Sequence, residues 1–163
     1  KLRLGRQCKG TIKDFNSSLT HAWAPLRPTL AAFLYQMASH PEIWSQVTAE
    51  VTDKDKAVTG KDKEVTVPAL NSLTFLHCCL LETLRLYPPA SLHVREALSD
   101  DTLPSGLHVR RGCKVLLCPP LLHCDASLWR DPHVFNPLRF QQTPDNGSFI
   151  PFFGGTRRCP GMD

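Results

Sequence analysis

The sequence lacks any long apolar run that could span a bilayer, and no signal peptide is present at its beginning. The protein is therefore either soluble or without its N-terminal part. The first of the 163 residues is Lys1 rather than methionine, and Asp163 closely follows a glycine-rich motif. We expect the sequence to be truncated at both ends. Internal repeats and low-complexity tracts are also absent, and the length suits one domain with a core of its own.

Charge of one sign is scarce as well. The net charge is only +4, which argues against a nucleic-acid-binding protein. A basic balance of this size would at most favour contact with an acidic partner or an anionic lipid surface.

The cysteine pattern excludes a disulfide framework and a zinc site. The number of cysteines is odd, and no Cys-x-x-Cys pair occurs. Apart from Cys159, we expect the cysteines to be reduced and to pack as small buried hydrophobic residues of a cytosol-facing protein. The seven are Cys8, Cys78, Cys79, Cys113, Cys118, Cys124 and Cys159.

Helical periodicity dominates the first part of the sequence. Apolar residues recur at three- and four-residue spacing between Leu19 and Val51. Pro25 and Pro28 would kink or delay this helix. Pro41 ends it and suits the first turn of a second helix.

The charged residues 52–67 predict an exposed loop. A strongly apolar helix follows, roughly from Ser72 to Leu86. Pro88 and Pro89 end it, because proline cannot continue a helix and restricts the residue before it.

Short alternating runs separated by turn residues predict small β-strands after this helix. They are expected near Leu92–Arg95, Leu107–Arg110 and Val115–Leu117. The stretch Pro119–Phe149 is rich in proline and aspartate and has little periodicity. Long ordered segments of this kind are usually functional or packed around something.

Glu82 and Arg85 lie three residues apart on the apolar helix and therefore share one of its faces. An exposed pair of this kind contributes little stability. Here leucines surround the pair, and a partly buried pair needs further hydrogen-bond partners. Arg139 is a candidate third member.

A glycine-rich motif surrounds the last cysteine. Its sequence is Phe152-Phe153-Gly154-Gly155-Thr156-Arg157-Arg158-Cys159-Pro160-Gly161. The glycines before Cys159 allow a tight turn and a close approach of the backbone to a flat ligand. Arg157 could pair with a carboxylate, and a helix start together with arginines would stabilise a thiolate. A thiolate is what a haem iron takes from cysteine; the alternative is a glycine-rich turn beside a buried cysteine.

The order of these elements resembles the C-terminal half of the cytochromes P-450. A proline-ended Glu-x-x-Arg helix is followed by a Phe-x-Pro-x-Arg-Phe stretch and a Phe-x-x-Gly-x-Arg-x-Cys-x-Gly loop, and the resemblance runs from His21 to Gly161. It implies a mainly α fold with small β-sheets. The expected parts are the end of the distal helix, the following helices, the Glu-x-x-Arg helix, short strands, the meander and the haem-binding loop. Residues 1–163 would form a partial haem-thiolate catalytic domain.

The resemblance also implies roles for individual residues. Haem b would be bound through the thiolate of Cys159, which is the expected metal ligand. Phe152 would pack on the proximal face, and Gly155 would let the backbone approach the ring. Arg157 and Arg95 would bind the propionates.

Two further implications concern structure rather than chemistry. Glu82, Arg85 and Arg139 would form a buried triad that holds the meander. Phe153 departs from the family, which usually has a small or polar residue there, and the departure is expected to affect packing near the loop only.

The most informative departure lies upstream, in the distal helix. Family monooxygenases usually carry an acid and a threonine that deliver protons, but Ala24 and Pro25 stand at those positions. The branch that contains sterol and oxysterol 7α-hydroxylases and prostacyclin synthase also lacks this pair, and Pro28 matches a proline of that branch.

Three functions remain open on this reading. The first is a monooxygenase that hydroxylates a sterol or related lipid. The second is an isomerase of the prostacyclin-synthase type, which needs no proton-delivery pair. The third is a truncated product that is inactive by itself. For the first, the expected partners are NADPH-cytochrome reductase or an equivalent electron donor, dioxygen and a small lipophilic substrate, with no nucleic acid. The expected location is the endoplasmic reticulum membrane, facing the cytosol.

Overall fold

The computed structural model describes residues 12–58, 66–142, 144, 147–155 and 158–162, and side chains are described from residue 24 onward except at 54–58 and 160. The helices are α1 (Ile12–Ser39), α2 (Pro41–Val58), α3 (Val67–Asn71), α4 (Thr74–Leu86) and α5 (Pro119–His123), with 3-10 turns at Pro137–Gln141 and Pro160–Met162. The strands are β1 (His93–Glu96), β2 (Asp101–Thr102), β3 (His108–Val109) and β4 (Lys114–Leu117). The expected mainly α fold with small β-sheets is confirmed.

The prolines of α1 do not delay the helix, so that part of the expectation is wrong. Helix α1 contains both Pro25 and Pro28. Ala24 and Pro25 are exposed, so carbonyls that lose a helical N–H partner to proline can face solvent instead. The Thr29 hydroxyl also donates to the Pro25 carbonyl at 2.9 Å.

The predicted loop 52–67 is wrong in its first part, because α2 continues to Val58. No proline or glycine interrupts residues 52–58, so nothing in their sequence stops the helix. Residues 59–65 lie outside the described part of the chain.

The start of the apolar helix is set by a side chain from α2. The Glu50 carboxylate accepts from the backbone N–H groups of Phe75 and Leu76 at 3.0 and 2.9 Å. It thereby satisfies donors that the first turn of α4 leaves without helical partners. Helix α4 consequently begins at Thr74 rather than Ser72, after the separate short helix α3.

Two small antiparallel sheets follow α4. Strand β1 pairs with β4, with Arg95 opposite Val115, and β2 pairs with β3. The three predicted strands are confirmed in position. Strand β2, which has only Asp101 and Thr102, was missed because two polar residues carry no alternation.

The core joins the helices to the irregular C-terminal segment. One cluster packs Phe33 and Met37 of α1 against Val47, Cys79 and Phe135. A second cluster consists of Cys78, Trp129 and Phe140. Helix α4 thus presents one face to α1 and α2 and another to the segment that leads to Cys159. Among the described helices, none combines the length and apolarity needed to cross a bilayer.

The cysteines differ more in burial than expected. Cys78 and Cys79 are buried as predicted, but Cys113 is exposed and Cys118 and Cys124 are only partly buried. Cys113 follows the turn at Gly112, at the end of the sheet, where few residues can cover it. Cys8 lies outside the described residues.

These environments predict a difference in thiol reactivity. Burial raises the pKa of Cys79 to about 12, and only the thiolate is a good nucleophile. We expect an alkylating reagent to modify exposed Cys113 at least about a thousandfold faster than Cys79 in the folded chain. Peptide mass spectrometry would measure both rates, and comparable rates would contradict the buried position of Cys79.

Candidate functional site

The Glu82 carboxylate is the centre of a buried network of hydrogen bonds. Its two oxygens accept from Nη2 and Nε of Arg85 at 2.8 and 2.7 Å. One oxygen also accepts from Arg139 Nε at 3.0 Å and from the Asn136 backbone N–H at 2.9 Å. The side chains of Glu82 and Arg85 are 0% exposed. A buried carboxylate of this kind is stable because two cations and several hydrogen bonds replace its water.

The same arginines bind the irregular segment between α5 and the 3-10 turn at Pro137. Arg85 Nη1 donates to the carbonyls of His123 and Pro132 at 2.6 and 2.7 Å. Arg139 Nη1 donates to the Arg130 carbonyl at 2.9 Å. Backbone carbonyls that form no helix or sheet are satisfied in this way. The structure therefore brings the three residues of the predicted triad together.

His123 is a buried residue that the sequence did not single out. Its side chain is fully buried. Its Nε2 accepts from the Ile150 backbone N–H at 3.0 Å, so its proton resides on Nδ1, which lies 3.1 Å from the Arg85 carbonyl. Burial lowers the pKa of His123 below its ordinary value, which agrees with this neutral form.

The loop that carries Cys159 is held by its own backbone hydrogen bonds. The Cys159 N–H donates to the Phe152 carbonyl at 3.0 Å, and the Phe153 N–H donates to the Ile150 carbonyl at 3.1 Å. Gly155 has a φ of 72°, which glycine adopts without strain. Cys159 itself is exposed, so the alternative of a buried structural cysteine is wrong.

Strand β1 lies against this loop. The rings of His93 and Phe153 have centroids 3.9 Å apart. Arg95 shares a face of β1 with His93, because side chains alternate along a strand. Its Nη1 lies 3.2 Å from Nδ1 of His93 and 3.1 Å from the Val94 carbonyl.

Most of the predicted cofactor-binding residues lie at or near one loop. Cys159, Phe152 and Gly155 share one loop, and the contact between His93 and Phe153 brings the Arg95 strand to that loop. Arg157 lies outside the described residues. The expected helix start after the cysteine is, as far as the structure describes it, a single 3-10 turn at Pro160–Met162.

The described residues fit a haem at this loop. The Cys159 side chain is accessible, and side-chain atoms added at Gly154 and Gly155 would meet nothing within 4 Å. Arg95 is half-buried and has no carboxylate partner within the described part of the chain. Its guanidinium can therefore pair with a carboxylate of a bound group. A sulfur ligand together with a cation suits an iron porphyrin, which carries acidic side chains.

An accessible thiol on a glycine-containing loop of a mainly helical fold fits a haem-thiolate protein. The chain belongs to the cytochrome P450 family, whose model matches residues 26–163. Haem bound through the cysteine thiolate is the cofactor of this family.

Individual relatives support the same assignment. The chain is 37% identical over 131 residues to cytochrome P450 4A10 of Rattus norvegicus, covering 78% of this chain and 25% of the relative. It is 39% identical over 163 residues to cytochrome P450 84A4 of Arabidopsis thaliana, covering 94% and 30%. The solved structure of retinoic acid-bound cyanobacterial CYP120A1 matches with a TM-score of 0.71 and 28% identity, covering 83% and 31%. The chain thus spans about a quarter to a third of the length of these relatives.

Removing the charge of Glu82 is expected to destabilise the folded chain. Glu82→Gln would leave two arginines facing a neutral amide, one of them fully buried. We expect the free energy of unfolding to fall by about 3–5 kcal/mol, the usual cost of breaking a buried pair. The control is Asp131→Asn, because the pair of Asp131 with Arg130 is exposed and is expected to change stability by less than about 0.5 kcal/mol. Urea unfolding would measure both, and equal losses would contradict a central role for Glu82.

His123 predicts a dependence of stability on pH. Its pKa in the folded chain lies below the ordinary value of 6.5, so below that pH the unfolded chain binds a proton that the folded chain does not. We expect the free energy of unfolding to be highest above pH 6.5 and to fall as the pH drops below it. In His123→Gln this decline should be smaller. Unfolding curves between pH 8 and pH 5 would test this, and an undiminished decline in the variant would contradict it.

Proposed function

We propose that this chain is the iron-binding part of a haem-thiolate monooxygenase and that Cys159 supplies the axial thiolate. The observation that carries the proposal is the position of this thiol. It is exposed on a loop whose backbone is fixed by hydrogen bonds, while the other cysteine of the neighbouring irregular segment, Cys124, is partly buried. A ligand must be accessible and yet fixed in place, and Cys159 meets both conditions.

The remaining residues of the site would orient the cofactor. Arg95 would bind one propionate, since its half-buried guanidinium is directed by the His93 ring. Arg157 would bind a second propionate. Phe152, half-buried at the start of the loop, would pack against the proximal face and exclude water from the sulfur. Gly155 would allow the backbone to approach the ring.

Haem held by a thiolate supplies the activation of dioxygen, because the thiolate donates electron density that favours O–O cleavage. The chain's own contribution would be to hold the sulfur in position through the backbone hydrogen bonds of its loop. Electrons would come from NADPH-cytochrome reductase or an equivalent donor.

For the substrate we propose a sterol or a related lipid. Ala24 and Pro25 replace the acid and alcohol that most family monooxygenases use, as in the branch that acts on sterols. The structurally similar CYP120A1 was solved with retinoic acid bound, which shows that a relative of this fold accepts a lipophilic molecule. The corresponding location would be the endoplasmic reticulum membrane, facing the cytosol.

A second candidate is an isomerase of the prostacyclin-synthase type. Such an enzyme rearranges a peroxide without a reductase, so the absence of a proton-delivery pair at Ala24 and Pro25 would cost it nothing. Product formation in the absence of reductase would select the isomerase over the monooxygenase.

The test of the proposal is the reduced, carbon monoxide-bound absorbance spectrum of protein expressed from the gene that encodes this sequence. We expect the thiolate-type band in the wild type and its loss in Cys159→Ser. The matched control is Cys113→Ser, because Cys113 is also exposed but lies just before strand β4, outside the loop of Cys159. Loss of the band in both variants, or its persistence in Cys159→Ser, would overturn the assignment of the ligand. Absence of the band from the wild type would favour the inactive alternative.

A further inference from the structure

We propose that His123 is a positioning residue that ties the loop of Cys159 to the C-terminal end of helix α4. The proposal rests on the proposed function, since a position for the sulfur matters only if Cys159 binds iron. The observation behind it is a series of hydrogen bonds that begins at α4, passes through the His123 ring and ends at the Cys159 backbone.

The first step fixes the ring to the helix. Arg85 is the second-last residue of α4, so its carbonyl is one of those that a helix end leaves without an intrahelical partner. The Nδ1–H of His123 donates to this carbonyl at 3.1 Å. In return, the His123 carbonyl accepts from Arg85 Nη1 at 2.6 Å. The two residues are therefore held to each other by both side chain and backbone.

The second step carries the connection to the loop. Nε2 of His123 accepts from the N–H of Ile150 at 3.0 Å. The Ile150 carbonyl accepts from the Phe153 N–H at 3.1 Å, which closes the turn that contains Phe152. The Phe152 carbonyl then accepts from the Cys159 N–H at 3.0 Å. Only these three bonds separate the buried ring from the backbone of the cysteine.

Histidine makes both contacts of this connection at the same time. The neutral ring offers a donor at Nδ1 and an acceptor at Nε2, pointing away from each other. Asparagine can place a donor near Nδ1 but is too short to reach Ile150. Glutamine can place its oxygen near Nε2 and accept from Ile150. The pair of variants His123→Asn and His123→Gln therefore separates the contact with α4 from the contact with the loop.

The experiment compares backbone exchange in these variants, without added haem. We expect His123→Asn to raise the hydrogen-exchange rates of the Ile150, Phe153 and Cys159 amides by about tenfold, because exchange of a protected amide reports local opening. His123→Gln should restore rates near those of the wild type. The amides of α2 serve as the internal reference, because in the described part of the chain no hydrogen bond or ring contact joins this helix to His123. Alkylation of Cys159 relative to Cys113 should change in His123→Asn and be restored in His123→Gln.

A control variant distinguishes hydrogen bonding from packing. The His123 ring lies 5.3 Å from the Phe149 ring, measured between centroids. Phe149→Leu weakens this contact without removing either hydrogen bond. We expect loop exchange in this variant to stay within about twofold of the wild type.

Three outcomes would overturn the proposal. The first is an increase in loop exchange with Phe149→Leu as large as with His123→Asn. The second is an equal effect of His123→Asn and His123→Gln. The third is a uniform rise in exchange that includes α2, which would make His123 a general core residue. Failure of the proposed function is recognised separately, because it appears in the carbon monoxide spectrum of the wild type and not in amide exchange.

Discussion

The buried carboxylate of Glu82 is the constraint on which the arrangement of the C-terminal segment depends. A lone carboxylate at 0% exposure would cost several kcal/mol to remove from water. Arg85 and Arg139 offset that cost, but each brings more N–H donors than Glu82 can accept. The surplus donors bind backbone carbonyls at His123, Pro132 and Arg130. The cost of burying one charge thus leads directly to the ordering of a segment that has little regular structure.

An apolar core at this position could not order the irregular segment. The segment between α5 and the 3-10 turn at Pro137 leaves many carbonyls without a helix or sheet partner, and a buried unpaired carbonyl costs about 1–3 kcal/mol. A guanidinium satisfies several of them at once with fixed geometry. The Arg85 guanidinium carbon also lies 5.2 Å from the centre of the Trp129 ring. The polar network therefore packs directly against the second hydrophobic cluster, which contains Trp129. Order in this segment therefore comes from the guanidinium donors of Arg85 and Arg139 rather than from its own periodicity.

The sequence predicted those parts of the fold whose signal is local. The helix of Glu82, the strands β1, β3 and β4, and the loop of Cys159 each carry a period or a motif within a few residues. The start of α4 depends on a distant group, because the helix begins where Glu50 meets its first turn. The role of His123 was missed for the same reason, since both of its ring partners are backbone groups, which any residue type provides. The sequence reveals only the side chain that takes part in such a contact. A single histidine has no sequence pattern that would identify it as one.

Phe153 shows how the loop is fixed on its other side. Its φ of 58° lies in the left-handed region, which costs a residue with a side chain roughly 1–3 kcal/mol. A small residue such as glycine would avoid that cost, but it would forgo the contact with the His93 ring, whose centroid lies 3.9 Å away. Aromatic contacts contribute about 0.5–1.5 kcal/mol beyond the area they bury, which offsets much of the strain. The loop of Cys159 is therefore attached at two points, to α4 through the hydrogen-bonded ring of His123 and to β1 through the ring contact of His93 with Phe153. With both attachments in place, the position of the sulfur follows from the helix and the strand rather than from the loop itself.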